Sequence, residues 1–353
     1  MAEAATRDSP ETSRLIDAAK AGDEAAFGKL VEASRGELHA HCYRMLGSVH
    51  DAEDALQDTM LRAWRSLNRF EGRSAFKSWL YRIATNASLD LLKKRKQRHL
   101  ATEYGPPGEA EGGPGEPLVE SVWIEPYPSD ETGLDDGLAT PEARYEQRES
   151  VELAFVASLQ HLPATQRAVL ILREVLGFSA KEVAETMETT VPSVTSALQR
   201  ARATVEKHLP EQSQQQTLKA LGDDEIREMV ESYMEAWEKG DVDQVAAMLA
   251  EEAVISMPPM ANWFRGEELF VFLRKWAFSG RLYNLEDRRV RCLPTIASGQ
   301  LAFATYRWDL EQEVFLPAVL QVLTLDGSKI TEITGFVMPD VFTGFGLPDS
   351  LPG

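Results

Sequence analysis

Residues 179–202 read Ser179-Ala-Lys-Glu-Val-Ala-Glu-Thr-Met-Glu-Thr-Thr-Val-Pro-Ser-Val-Thr-Ser-Ala-Leu-Gln-Arg-Ala-Arg202. Ser179 and Glu182 have the spacing of a capping box, in which each side chain satisfies the other residue's backbone N–H at a helix start. The helix they open runs to about Met187. The short turn Glu188-Thr-Thr190 leads into a longer helix beginning near Val191-Pro192, where a proline loses no helical hydrogen bond. Just upstream, Pro163 opens a helix over Ala164–Leu176 that Gly177 ends. Val183, Met187, Val191, Val194, Leu198, Ala201 and Val205 supply an apolar stripe, and the small Ala184 lets two helices cross closely. The pattern predicts a helix-turn-helix. At ~100° per residue, Thr195, Ser196, Gln199 and Arg200 share one outward arc, with Ser193 and Arg202 on its flanks. These side chains hydrogen-bond base edges and phosphates, and arginine can grip guanine through two bonds.

Working outward, residues 142–209 and 12–100 both carry apolar positions at helical spacing. No proline interrupts the chain between Arg14 and Leu100, and Gly47-Ser48 and Gly72 mark breaks. From Arg65 to Arg98, basic and aromatic residues interleave, as in proteins that stack bases while neutralising phosphates: Arg69, Phe70, Arg73, Phe76, Lys77, Trp79 and Arg82 lead to Asn86. An indole such as Trp79 also suits a core. Asp51, Asp54 and Asp58 fall at i, i+3 and i+7, one acidic stripe with Gln57 beside it. Acid on one helix face does not help DNA binding; it suits a basic protein partner, or simply the solubility of the helix.

The chain has 353 residues, 43% apolar and 26% charged, which excludes collagenous, mucin-like and wholly disordered classes. No apolar run reaches the ~18 residues of a membrane span, and the acidic first ten residues do not read as a secretory signal. Cys42 and Cys292 form no disulfide framework or paired metal motif, so a cytoplasmic setting is expected. Net charge is -19, but it is uneven: residues 1–100 balance to +3, 101–147 to -11, 148–210 to zero. The acid lies away from the two segments suited to DNA. Residues 101–147, rich in Gly, Pro and acid, read as a linker mostly without stable structure, although Trp123-Ile-Glu-Pro-Tyr-Pro128 is apolar enough to dock. Residues 210–222 read as a second polar connector. From Asp223 the pattern becomes α+β, with strands expected at Ala253–Met257, Arg288–Cys292, Leu301–Leu310, Val314–Leu325 and Ile330–Val337.

In chain order, Tyr43-Arg-Met-Leu-Gly-Ser48, Asp51-Ala-Glu-Asp-Ala-Leu-Gln-Asp58, Phe76-Lys-Ser-Trp-Leu-Tyr-Arg-Ile-Ala-Thr-Asn86 and Leu162-Pro-Ala-Thr-Gln-Arg167 through Arg202 resemble the bacterial sigma factors of the extracytoplasmic-function type, over residues 12–100 and 148–209. The resemblance implies that Asp51, Asp54, Gln57 and Asp58 dock on the β′ clamp helices of core RNA polymerase, whose β flap is a further expected contact. Arg69, Phe70, Arg73, Phe76, Lys77, Trp79, Arg82 and Asn86 would read the promoter −10 element, with one base flipped from the stack. Ser193, Thr195, Ser196, Gln199, Arg200 and Arg202 would read the −35 element, although the family more often carries further arginines there. Trp123–Pro128 looks like a motif of the sigma subgroup with a C-terminal extension. Residues 223–340 look similar to the SnoaL-like, nuclear-transport-factor-like cone.

The expected architecture is therefore multidomain: two all-α sigma domains (12–100 and 148–209, the second a helix-turn-helix), linker 101–147, connector 210–222, an α+β SnoaL-like cone at 223–340 and a tail at 341–353 apolar enough to dock on the sigma domains. Expected partners are core RNA polymerase and promoter DNA, with a small ligand or an intramolecular contact at the C-terminal domain, which would regulate activity. No catalytic residue, metal or cofactor is expected. No histidine follows His208, and Asp309, Glu332 and Asp340 remain as acidic candidates. The alternative is a DNA-binding protein fused to a SnoaL-like ligand-binding or enzymatic domain.

Overall fold

In the computed structural model, residues 8–72, 74–118, 122–128, 148–279 and 289–353 are described. They sort into two units, one holding the residues up to Arg98 with 148–209, the other 99–128 with 210–353.

The first unit is all helical. Helices α1 (Pro10–Lys20), α2 (Glu24–Glu32), α3 (Arg35–Leu46), α4 (Val49–Ser66) and α5 (Phe76–Leu92) form one lobe. Ser9, Asp23 and Ser48 cap α1, α2 and α4 by accepting from the backbone N–H three residues on. At the start of α5 the Phe76 N–H is taken by Asp8 Oδ1 at 2.8 Å. Every residue of α3 from Leu38 to Leu46 is buried, so this helix is the axis of the lobe. Helices α6 (Leu153–Gln160), α7 (Ala164–Leu170, continued by a wide π turn over Ile171–Val175), α8 (Ala180–Thr186) and α9 (Val191–Val205) form the second lobe. The two lobes share a junction. Buried Arg167 donates to Met45 O at 2.5 Å and to Gln160 Oε1 at 2.6 Å, while buried Arg44 donates to Ser150 O and Oγ at 3.2 and 3.0 Å. Tyr81 meets Phe178 edge-on at 5.6 Å. Gly47 ends α3 with φ +70°, the left-handed region that favours glycine.

The second unit is α+β. Helices α10 (Gln214–Leu221), α11 (Asp223–Lys239), α12 (Val242–Met248) and α13 (Glu267–Phe272) accompany one sheet. Its strands are β1 (Leu249–Ser256), β2 (Trp263–Arg265), β3 (Val290–Ala297), β4 (Gln300–Asp309), β5 (Val314–Asp326), β6 (Lys329–Phe336) and β7 (Leu351–Pro352). They lie in the order β2-β1-β6-β5-β4-β3, with β7 paired to β5; β1 and β6 run parallel and the other pairs antiparallel. The pleat puts Ile255, Ile333, Leu323, Phe303 and Cys292 into one core with Tyr233, Ala236 and Trp237 of α11. Within that core the Tyr233 hydroxyl donates to Gln321 Oε1, and Gln321 Nε2 donates to Thr305 Oγ1 at 3.2 Å.

Three expectations need correction. Residues 99–118 and 122–128 are not a loose tether but a strap packed within the second unit. Trp263 Nε1 donates to Gly105 O at 2.8 Å, Gly108 N–H to Trp263 O at 2.8 Å, Trp276 Nε1 to Ala110 O at 2.7 Å and Trp123 Nε1 to Pro259 O at 3.0 Å. The strap ends with Tyr127, which is fully buried and exchanges hydrogen bonds with Ser298. Residues 129–147 lie outside the described residues. The 210–222 connector contains α10, whose buried Gln214 both donates to Leu325 O (2.9 Å) and accepts from its N–H (2.7 Å). The tail docks on its own unit: Phe342 is buried edge-on against Tyr306, whose hydroxyl donates to Pro348 O at 2.8 Å, and β7 closes on β5.

Candidate nucleic-acid and polymerase interfaces

Helix α9 forms where its sequence places it. The Ser179–Glu182 box closes at 2.8 and 3.2 Å on α8, and Thr190 caps α9 by accepting from Ser193 N–H. Val194, Leu198, Ala201 and Val205 are buried, which leaves Ser193, Thr195, Ser196, Gln199, Arg200 and Arg202 exposed together. Val191, expected in the buried stripe, is 43% exposed instead, at the first residue of α9. Two local contacts orient the arc. Arg200 Nη1 donates to Ser196 Oγ at 2.6 Å one turn back, and Arg202 pairs with Glu174 at 2.7 Å. The Thr195 hydroxyl donates back to Val191 O at 3.1 Å.

The Arg69–Asn86 surface divides into support and display. Phe70 and Phe76 are buried and, with half-buried Trp79, form a trio with ring centroids 5.2–5.5 Å apart. These rings hold the loop on α5, and Phe70 and Phe76 offer no free face to a base in this arrangement. That corrects the expectation of direct contact, and the cause is ordinary aromatic packing. Arg69, Lys77 and Asn86 are exposed and Arg82 is partly so; Lys77 pairs with Glu37. Arg73 lies outside the described residues. Arg82 Nη2 meets Glu188 Oε1, in the turn between α8 and α9, at 2.5 Å. Neither this acid nor Glu174 stands out in the sequence, because both act across sequence-distant or inter-helix contacts.

On α4 the acidic stripe splits. Asp54 and Asp58 are about half exposed at 47% and 45%, and Gln57 is exposed beside them. Asp51 turns inward, with 3% of its side chain exposed, to Arg98 at 2.5 Å and Arg95 at 3.2 Å. Its expected polymerase contact is corrected accordingly: the carboxylate is committed to an internal ion pair.

The acidic candidates of the second unit serve separate local roles. Asp309 accepts from the backbone N–H of Glu311 and Gln312, and exposed Asp340 precedes a single helical turn. Glu332 accepts from Thr334 Oγ1 at 3.1 Å; burial raises its carboxyl above the usual range, and the nearby Glu103 charge adds to the rise.

A reading helix on a helix-turn-helix, an exposed acidic helix and a basic-aromatic surface now stand in chain order. Residues 30–98 match Sigma-70 region 2, residues 152–205 match Sigma-70 region 4 and residues 230–333 match the SnoaL-like domain. Over 358 aligned residues the chain is 39% identical to the ECF RNA polymerase sigma factor SigG of Mycobacterium tuberculosis (strain CDC 1551 / Oshkosh), spanning 99% of this chain and 94% of that protein. The chain belongs to the ECF RNA polymerase sigma factors. It is also 30% identical to sigma factor SigW of Bacillus subtilis (strain 168) over 198 residues, 56% of this chain and 95% of that one. The crystal structure of the Mycobacterium tuberculosis sigma factor SigJ shares the fold, with TM-score 0.55 at 22% identity, over 90% of this chain and 98% of that one. As a sigma factor the protein binds core RNA polymerase and directs it to promoter DNA, a role that needs no catalysis of its own. No helix among the described residues is long and apolar enough to cross a membrane.

Proposed function

We propose that this sigma factor reads the −35 element with Thr195, Ser196, Gln199 and Arg200 of α9 in the major groove, and the −10 element with Arg69, Lys77, Arg82 and Asn86. Its polymerase contact is the exposed face of Asp54, Gln57 and Asp58, which meets the β′ clamp helices. The observation that carries this reading is the exposed arc of α9, where every side chain that hydrogen-bonds base edges points away from the buried stripe. The recognition helix of such a motif presents its first turns to the groove.

The two elements stand about 25 base pairs apart, ~85 Å at ~3.4 Å per pair. A compact body of ~150 residues has a radius of gyration near 15 Å and spans roughly 40 Å. The two packed lobes therefore have to part before both elements are read, and the Arg82–Glu188 bond has to break. The regulatory role of the SnoaL-like domain rests on the strap. A segment between the two DNA-reading lobes is held by indole hydrogen bonds of that domain, so its release and its capture compete with polymerase engagement.

The test is transcription from a cognate promoter by core polymerase with the full chain. Arg200→Ala should lower discrimination among −35 variants by about 1–3 kcal/mol. An unchanged ranking of those variants removes α9 from the −35 element.

A further inference from the structure

Helix α1 holds the chain between α4 and α5 at two points. Lys20, its last residue, donates from the ammonium to Phe70 O at 2.6 Å and lies over the Phe70 ring, 5.6 Å from the centroid. Beyond its other end, one residue before the Ser9 cap, Asp8 Oδ1 takes the Phe76 N–H at 2.8 Å. We infer that α1 is a two-point clamp on the −10-reading surface, with Lys20 and Asp8 as positioning residues for Arg69 and Lys77. The clamp rests on the −10 reading proposed above, and it adds residues 8–20, which precede the 30–98 match to Sigma-70 region 2.

Each tether sits one residue from an exposed side chain of that surface, Arg69 beside Phe70 and Lys77 beside Phe76. Holding the backbone at these two points fixes where both side chains leave it. Burial of the Phe70, Phe76 and Trp79 rings supplies adhesion without much direction, whereas a hydrogen bond is sensitive to angle as well as distance. Ala75 has no side-chain acceptor with which to cap α5, so Asp8 satisfies an orphan N–H from 68 positions away, with a charge that suits a helix N-terminus. Lys20 is half-buried, and its charge is held by the Phe70 carbonyl and ring together. A lysine that only met phosphate would serve every sequence alike, whereas one that positions base readers alters the ranking of sequences.

The experiment is transcription by core polymerase with the full chain, from promoters that differ only at the −10 element, beside Lys20→Met, Lys20→Arg, Asp8→Ala, Asp8→Asn and Asn86→Ala. Lys20→Met and Asp8→Ala should each lower the preference for the cognate −10 element by about 3- to 10-fold, the range of one net hydrogen bond, with the ranking of −35 variants unchanged. Lys20→Arg keeps a donor and Asp8→Asn keeps an acceptor, so both should restore that preference. Denaturant midpoints measured alongside identify a variant that has lost its fold, which lowers output from every promoter alike. Asp8→Ala tests the second tether by itself, so an unfolded Lys20→Met leaves the clamp open to refutation. Equal loss on all −10 sequences would make Lys20 a phosphate contact and overturns the proposal. Wild-type preference in either Lys20→Met or Asp8→Ala, with Asn86→Ala impaired, also overturns it and leaves the −10 reading standing. Unchanged preference in all three removes the reading and the clamp together.

Discussion

Asp51 Oδ2 stands 2.5 Å from Arg98 Nη2, with both side chains at most 5% exposed, so a carboxylate from the start of α4 is locked to a guanidinium that follows α5. Removing one member of a buried pair strands the other charge in a poor solvent. Asp51→Asn should therefore destabilise the sigma lobes by about 3–5 kcal/mol in chemical denaturation. Asp54→Ala and Asp58→Ala should stay within about 0.5 kcal/mol of wild type while weakening association with core polymerase. The reverse pattern would place Asp51 at the polymerase and the other two in the fold.

Arg82 and Glu188 form an exposed pair, with side chains 43% and 74% accessible, and such pairs contribute about 0.2–1 kcal/mol. Glu188→Ala should free Arg82 and raise binding of a single-stranded −10 oligonucleotide by the free protein about 1.5- to 5-fold at low salt. The gain should shrink as salt screens the pair. Unchanged or weaker binding at low salt would show that this bond does not restrain the −10 surface.

Stability should fall on acidification through His41. Its Nε2 lies 2.9 Å from Thr85 Oγ1, whose own proton goes to Tyr81 O, so Nε2 carries the hydrogen. Burial, aided by the Arg44 charge, lowers its pKa from 6.5 to about 3. The folded state thus refuses a proton that the unfolded chain accepts below pH ~6.5. His41 stabilises the fold above that value, and the contribution is lost as pH drops towards about 3, at ~1.4 kcal/mol per pH unit. His39 is shifted in the same direction by burial. The difference between wild type and His41→Gln isolates His41, because Gln retains the donor to Thr85. Parallel stability curves from pH 7 to pH 4.5 would show that His41 takes up its proton as readily in the fold as in the unfolded chain.

Gly113 has φ +79°, and a Cβ there would come within 2.7 Å of the Trp276 ring. Gly113→Ala should push the strap off that indole. Limited proteolysis should then cut near residues 105–118 several-fold faster, with the helical unit unaffected. Equal cleavage rates would mean that the strap is anchored mainly by Trp123 and Tyr127. Trp123→Ala should cost the second unit about 3–5 kcal/mol.

The helix-turn-helix was legible almost residue by residue, because capping boxes, proline positions and a 3.6-residue stripe are local signals. The longer strands of the SnoaL-like sheet were legible too, although β1 begins at Leu249 rather than Ala253 and β3 extends to Ala297. The short strands β2 and β7 were not, since two or three residues become a strand only through the partner they meet. The strap misled for a related reason. Gly, Pro and acid argue against a self-sufficient core, and the strap has only the small cluster of Ala101, Val122 and Trp123, completed by bonds to Trp263, Trp276 and Pro259 that lie 136 to 166 positions away.

Order and chemistry of the motifs, and hence the sigma identity, follow from neighbours within a few turns of helix, where propensity and spacing act directly. Which acid of the stripe faces outward, which aromatic rings are spent on packing and where the acidic strap lies depended on contacts between residues far apart in the chain. Burial and pairing are properties of the assembled core, and no local pattern encodes them.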